Sequence, residues 1–151
     1  MDETGLQRYL HEHIPISRAL GVGVAGATAD RVRVRAPLEP NLNHRSTAFG
    51  GSVGAIAVLA GWGLMRIRVD HLSPVPHLVI QRSNLEYLLP IESDFEATCA
   101  APSQDRWDRL WRAYTQRGRG RIDLTVEVTA AGELAARFHG TYAVLDSTRN
   151  P

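Results

Sequence analysis

The stretch Asn43-His44-Arg45-Ser46-Thr47-Ala48-Phe49-Gly50-Gly51-Ser52 carries a polar loop into a double glycine, and the apolar run Val53 to Met65 follows at once. This order sets a helix start at the glycines. The first amides of a helix have no partner within it. Aided by the helix dipole, such N–H groups can hold a carbonyl oxygen as negative charge develops on it. The stretch therefore reads as an acyl-handling site, with the Gly51 N–H, joined by that of Ser52, as the expected donor. Glycine also lets a substrate approach without a Cβ in the way. The plain alternative is a tight loop-to-helix turn. Asn43 could orient a water or hold the acyl carbonyl through its amide, or it could shape the loop as an Asx-turn. Ser52 could bond substrate or water, or cap the first turn. His44 is the nearest candidate base in sequence.

Other chemistries find less support. His11 and His13 are two apart, so on a helix they diverge. Cys99 has no partner at ligand spacing, and no metal site is expected. Gly21-Val22-Gly23 lacks the strand-then-helix setting of a dinucleotide fingerprint, and no P-loop occurs. All seventeen basic residues are Arg, which excludes a Schiff-base lysine.

The elements around the candidate site follow from periodicity. Leu6 to His13 reads as a short amphipathic helix with Leu6, Tyr9 and Leu10 on one side, stopped by Pro15. Val22 to Ala29 and Arg31 to Ala36 read as strands, the second alternating Val32 and Val34 with arginines. The central helix is expected from about Gly50 to Arg68. It has no polar stripe, so it should be buried on every side. Gly54, Gly61 and Gly63 within it suggest close packing of a strand or sheet backbone. Strands are expected at Val79 to Leu89, around Phe95 to Cys99, at Ile122 to Val128, and over Leu134 to Val144. The segment Asp105 to Arg121 reads as a short helix or structured loop. The shape that satisfies one buried helix and several one-faced strands is an antiparallel sheet curled around the helix.

Composition bounds the rest. A chain of 151 residues with 44% hydrophobic and 22% charged residues suits one globular domain, 1–151. The net charge of +1 points to neither nucleic acid nor an anionic membrane as partner. A single cysteine allows no internal disulfide and suggests a reducing, cytoplasmic setting. Met1-Asp2-Glu3-Thr4 has no apolar run behind it, so no signal peptide is expected. Val53 to Met65 falls short of the roughly 20 residues needed to span a bilayer.

Several of these pieces resemble a hotdog-fold acyl-thioesterase domain. More narrowly, they resemble the thioesterase family found as the C-terminal domain of YiiD-like acetyltransferases. The matching segments are the Asn43–Ser52 stretch, Leu59-Ala60-Gly61-Trp62-Gly63, Tyr87-Leu88-Leu89-Pro90, Arg117-Gly118-Arg119-Gly120-Arg121 and Phe138-His139-Gly140-Thr141-Tyr142. The resemblance implies an α+β hotdog fold and a homodimer, possible as a tetramer, acting on an acyl thioester of coenzyme A or acyl carrier protein. Coenzyme A or phosphopantetheine enters as part of the substrate, and no separate cofactor is implied. Catalytic roles fall on Asn43, Gly51 and Ser52, and substrate contacts on His44, Phe49, Gly50 and Tyr87. Glu86 and Asp94 flank the strand end where substrate channels of this fold often lie. Related hotdog thioesterases carry His-Gly-Gly and a helical acid. Here Phe49 stands in place of the His and Val58 in place of the acid. That departure motivates a second reading, a non-catalytic acyl-CoA or acyl-carrier binding module. The arginines at 106, 109, 112, 117, 119 and 121 could take phosphates or an acidic carrier surface, or form a solvated face partly neutralised by Asp105 and Asp108.

Overall fold

Strict alternation decides the strands. In Arg31–Ala36 the residues Val32, Val34 and Ala36 are buried while three arginines face solvent. In Arg119–Ala130 the same pattern buries Gly120, Ile122, Leu124, Val126 and Val128. The computed structural model describes residues 1–149. Its strands are β1 (Gly23–Ala27), β2 (Arg31–Ala36), β3 (His77–Tyr87), β4 (Phe95–Ala100), β5 (Arg119–Ala130) and β6 (Glu133–Leu145). All pair antiparallel in one sheet ordered β1-β2-β4-β5-β6-β3. The helices are α1 (Glu3–His13), α2 (Pro15–Ala19), α3 (Gly50–Val69) and α4 (Gln104–Arg117).

The sheet wraps around α3, which lies against β2, β3, β4, β5 and β6. This is the hotdog arrangement. At 20 residues, α3 is long and apolar enough for a membrane span by composition, yet most of it is buried inside the sheet. Ile56, Ala57, Ala60, Leu64, Met65 and Val69 are fully enclosed. Their burial offsets the cost of the helix glycines, roughly 1 kcal/mol each relative to Ala.

The close packing expected at those glycines exists at Gly61 and Gly63, where side chains rather than backbone supply it, but not at Gly54, where a Cβ would be in ordinary contact. A Cβ on Gly61 would run into the Tyr142 hydroxyl. That hydroxyl donates to the Val58 carbonyl at 2.9 Å. Gly63 faces Leu6 and Val32, and Gly54 faces Leu85. An aromatic or branched side chain reaches across the layer where a strand backbone could not.

Two further boundaries differ from the sequence expectation. Pro15 ends α1 but also opens α2, because proline suits the first position of a helix. Arg119 to Arg121 belong to β5 rather than to the preceding helical piece. Gly118 adopts φ 71° and its N–H caps the Tyr114 carbonyl, which stops α4 and turns the chain into the strand.

Candidate active site at the head of the central helix

The loop before α3 is held from both sides. Phe49 N–H donates to the Asn41 carbonyl at 2.7 Å, and Ala48 N–H to the Ile91 carbonyl at 2.8 Å. Asn41 is buried, and its Nδ2 donates to the Leu20 and Pro37 carbonyls at 2.9 and 2.7 Å. Sequence reasoning passed over Asn41 in favour of Asn43. Only the turn chemistry of Pro37 and Pro40 around it hinted at an anchor.

The Asn43 side chain is engaged within its own loop. Its Oδ1 accepts from the Arg45 and Thr47 amides at 2.8 and 3.2 Å. Its Nδ2 donates to Thr47 Oγ1 at 2.8 Å and to the Ala48 carbonyl at 3.4 Å. This is the Asx-turn reading of Asn43. Ser46 takes φ 61° at the tip. His44 projects into solvent and makes no hydrogen bond among the described residues.

Phe49 is the N-cap of α3, with φ −61° and ψ 131°, and no side chain caps the helix. The Phe49 carbonyl accepts from Ser52 and Val53 at 2.9 and 3.1 Å. Ser52 N–H is therefore occupied, so the expected pairing of Gly51 and Ser52 as donors does not occur in this arrangement. Among the described residues the Gly50 and Gly51 amides have no acceptor. Ser52 is buried, and its hydroxyl makes no hydrogen bond there, so it does not cap the turn.

The glycines also make room for two rings. A Cβ on Gly51 would stand 2.5 Å from the Phe49 ring, and one on Gly50 would lie 3.0 Å from the Tyr87 hydroxyl. Tyr87 donates to the Gly50 carbonyl at 3.0 Å and ties the end of β3 to the helix head. It is 61% exposed and Phe49 is 56% exposed, which leaves a broad aromatic surface beside the free amides.

A cleft of about 450 Å³ opens at this point. Its walls are Ala48, Val53, Leu88, Leu89, Pro90 and Ile91, with Gly50 and Tyr87 at the helix head. Gly50, rather than Gly51, lines it. The chemistry on offer is an apolar slot ending at unpaired amides. Among the described residues no carboxylate or imidazole lines the cleft. Glu86 is exposed, and its neighbours in the alternation put it on the face opposite Tyr87. Asp94 accepts from the Leu38 amide at 2.9 Å. Asp70, beyond the other end of α3, lies 3.1 Å from Arg66 and 3.3 Å from the N-terminal amine. Val58 offers no acid, and its carbonyl is taken by Tyr142.

Cys99 is buried in β4, which pushes its thiol up to about 12 and leaves it unreactive at neutral pH. His11 and His13 contact the carbonyls of Val22 and Tyr9 at 2.8 and 3.0 Å.

Residues 3–146 match the family described as "Putative thioesterase (yiiD_Cterm)". A protein of unknown function from Chlorobaculum tepidum TLS superposes with a TM-score of 0.90 at 27% identity, covering 96% of this chain and 94% of that one. A "putative thioesterase" from Shewanella oneidensis gives 0.83 at 28% identity, covering 95% and 96%. A "Probable Thioesterase" from Pseudomonas aeruginosa, at 24% identity and a TM-score of 0.81 over 94% and 95%, shares the fold.

Proposed function

Because the chain belongs to the "Putative thioesterase (yiiD_Cterm)" family, we propose that it hydrolyses acyl thioesters carried by coenzyme A or acyl carrier protein. One observation carries the reading: the apolar cleft reaches the helix head at Gly50, whose amide and that of its neighbour Gly51 are unpartnered among the described residues. The acyl chain lies along Val53, Leu88, Leu89 and Ile91. Its carbonyl oxygen turns to the two amides, where developing negative charge meets the positive end of α3. Ser52, with its free hydroxyl, holds substrate or the attacking water. Asn43 acts through the loop that it folds. Phe49 and Tyr87 wall the entrance, with His44 outside it. Water attacks the carbonyl, the C–S bond breaks, and the thiol leaves with a proton.

The water's proton passes to a group of this chain or of a second copy. The unpaired outer edge of β3 supports a homodimer, because eleven residues of open backbone invite strand pairing. The exposed Phe49, Tyr87, Leu88 and Leu89 adjoin that edge and would be covered with it. The setting is cytoplasmic, with tetramers as a further assembly.

A second reading rests on the absence of a carboxylate or imidazole among the described lining residues: a module that binds acyl thioesters without cleaving them. Incubation with an acyl-CoA panel and a thiol reagent, beside calorimetry with a non-hydrolysable analogue, separates the two. Turnover establishes the hydrolase. Binding alone establishes the module, and the absence of both turnover and binding removes both readings.

A further inference from the structure

The arginine-glycine alternation at Arg117-Gly118-Arg119-Gly120-Arg121 splits into two parts. Its glycines serve the fold. Gly118 holds a left-handed turn, and a Cβ on Gly120 would stand 2.5 Å from the Leu110 carbonyl oxygen of α4. Its arginines serve no fold contact. Arg119 and Arg121 alternate outward on β5, opposite the face that packs α3. Among the described residues neither has an ion-pair partner, and the same holds for Arg82 and Arg117.

Charge is segregated here. Residues 104–121 hold six arginines and two aspartates, a net of +4, which leaves −3 for the rest of the chain. The arginines converge on two adjoining grooves. One, of about 490 Å³, is lined by Arg82, Arg106, Arg109 and Arg121 with Gln81 and Thr141. The other, of about 420 Å³, is lined by Arg117, Arg119 and Arg121 with Gln81. Arg121 and Gln81 form the shared wall.

The counter-charges are few and already engaged. Asp123 accepts from Thr141 Oγ1 at 2.6 Å and lies 4.0 Å from Arg106. Asp105 holds Arg109 at 3.1 Å. Unpaired guanidinium groups stand in both grooves, Arg82 in one and Arg117 and Arg119 in the other with Arg121 shared between them, which suits a ligand with two separated anionic groups. Guanidinium forks match phosphate oxygens bidentately. We propose that this double groove binds an organic phosphate bearing anionic groups at two positions, of the nucleoside bisphosphate class. The site lies on the face of the sheet opposite α3. It does not depend on hydrolysis at the cleft.

Titration calorimetry of the intact protein with adenosine 3′,5′-bisphosphate, ADP, inorganic pyrophosphate and free coenzyme A tests the assignment. The bisphosphate should bind more tightly than pyrophosphate, and binding should weaken with salt. Arg121→Gln and Arg82→Gln should each weaken it by roughly tenfold with the melting temperature unchanged. Coenzyme A binding more tightly than the bisphosphate identifies the nucleotide end of a thioester carrier as the source. Equal binding identifies a free nucleotide. No binding by any probe, or equal binding by the arginine variants, overturns the proposal. A short N-acetylcysteamine thioester, which has no phosphate, reads hydrolysis separately. Loss of that turnover would count against the hydrolase and leave this site standing.

Discussion

The cleft at the head of α3 and the groove beside α4 are built from opposite materials. The cleft has apolar walls, meets the free-amide end of α3 at Gly50, and has no charged lining group among the described residues. The groove has four arginines in its lining, drawn from β3, α4 and β5, and is more polar than apolar. The first presents backbone amides beside an apolar wall, which suits the carbonyl of an acyl chain, and has no guanidinium to pair with a phosphate. The second holds an anion through its guanidinium groups. A thioester joined to a phosphorylated carrier needs both chemistries, and this chain keeps them on opposite faces of one sheet.

The sharpest way to break this division is Gly50→Pro. Proline suits the first helical position, and Phe49 already has the extended conformation that a following proline requires. The substitution removes one unpaired N–H. Gly50→Ala adds a Cβ against Tyr87 but keeps the amide, so the ratio of the two isolates the hydrogen bond. Hydrolysis by the proline variant should fall about 100- to 1,000-fold below the alanine variant. Nucleotide binding should not change. Equal rates for the two variants would show that the amides do not polarise the substrate.

Gly120→Ala perturbs the other region. Its Cβ meets the Leu110 backbone, which cannot swing aside as a side chain can. The expected loss of stability is about 1–3 kcal/mol by thermal or urea unfolding. The displaced α4 carries Arg106 and Arg109, so nucleotide binding should weaken while turnover of a short thioester persists. A coupled loss of both would mean that the two regions are one.

Asn43→Ala should act more gently, and on the loop alone. It leaves the Arg45 and Thr47 amides without their acceptor at partly exposed positions. A cost of roughly 1 kcal/mol is expected, with faster hydrogen exchange at those two amides. Unchanged exchange with a lost rate would return Asn43 to a direct role in chemistry.

These contrasts also explain what the chain reveals unaided. The helix–sheet partition is legible because Val32 and Val34 alternate with arginines and α3 has no polar stripe. The double glycine marks the helix head for the same reason, since local chemistry alone demands it. The cleft walls are harder to find. Leu88, Leu89 and Ile91 are apolar residues past a strand end, and only tertiary packing brings them beside Val53. The choice between Asn41 and Asn43 is likewise tertiary, because burial of Asn41 depends on carbonyls of Leu20 and Pro37. The occupied Ser52 amide depends on how the Phe49 carbonyl points, which composition cannot encode. The arginine cluster is plain in the sequence, but its convergence needs β3, β5, β6 and α4 together.

The sheet that separates the two regions offers a last, pH-dependent test. Cys99 on β4 and Tyr142 on β6 are both buried, and burial favours their neutral forms. The thiol moves from 9.0 to about 12, and the Tyr142 hydroxyl also moves up from 10.0. A raised value in the folded state means that the unfolded chain releases its proton first. Stability from these groups is therefore complete below about pH 9 and declines as pH climbs through the alkaline range. At neutral pH both groups are protonated in either state, so stability there does not vary with pH through them. Urea midpoints should hold steady to about pH 8 and fall by about pH 10.5. Cys99→Ala and Tyr142→Phe should each flatten that decline, and Tyr142→Phe should also lose the bond to the Val58 carbonyl, about 1 kcal/mol at every pH. If the wild-type midpoint does not fall, or both variants decline as steeply as it does, the wall between cleft and groove is wetter than its geometry implies. The two chemistries would then no longer be insulated from each other.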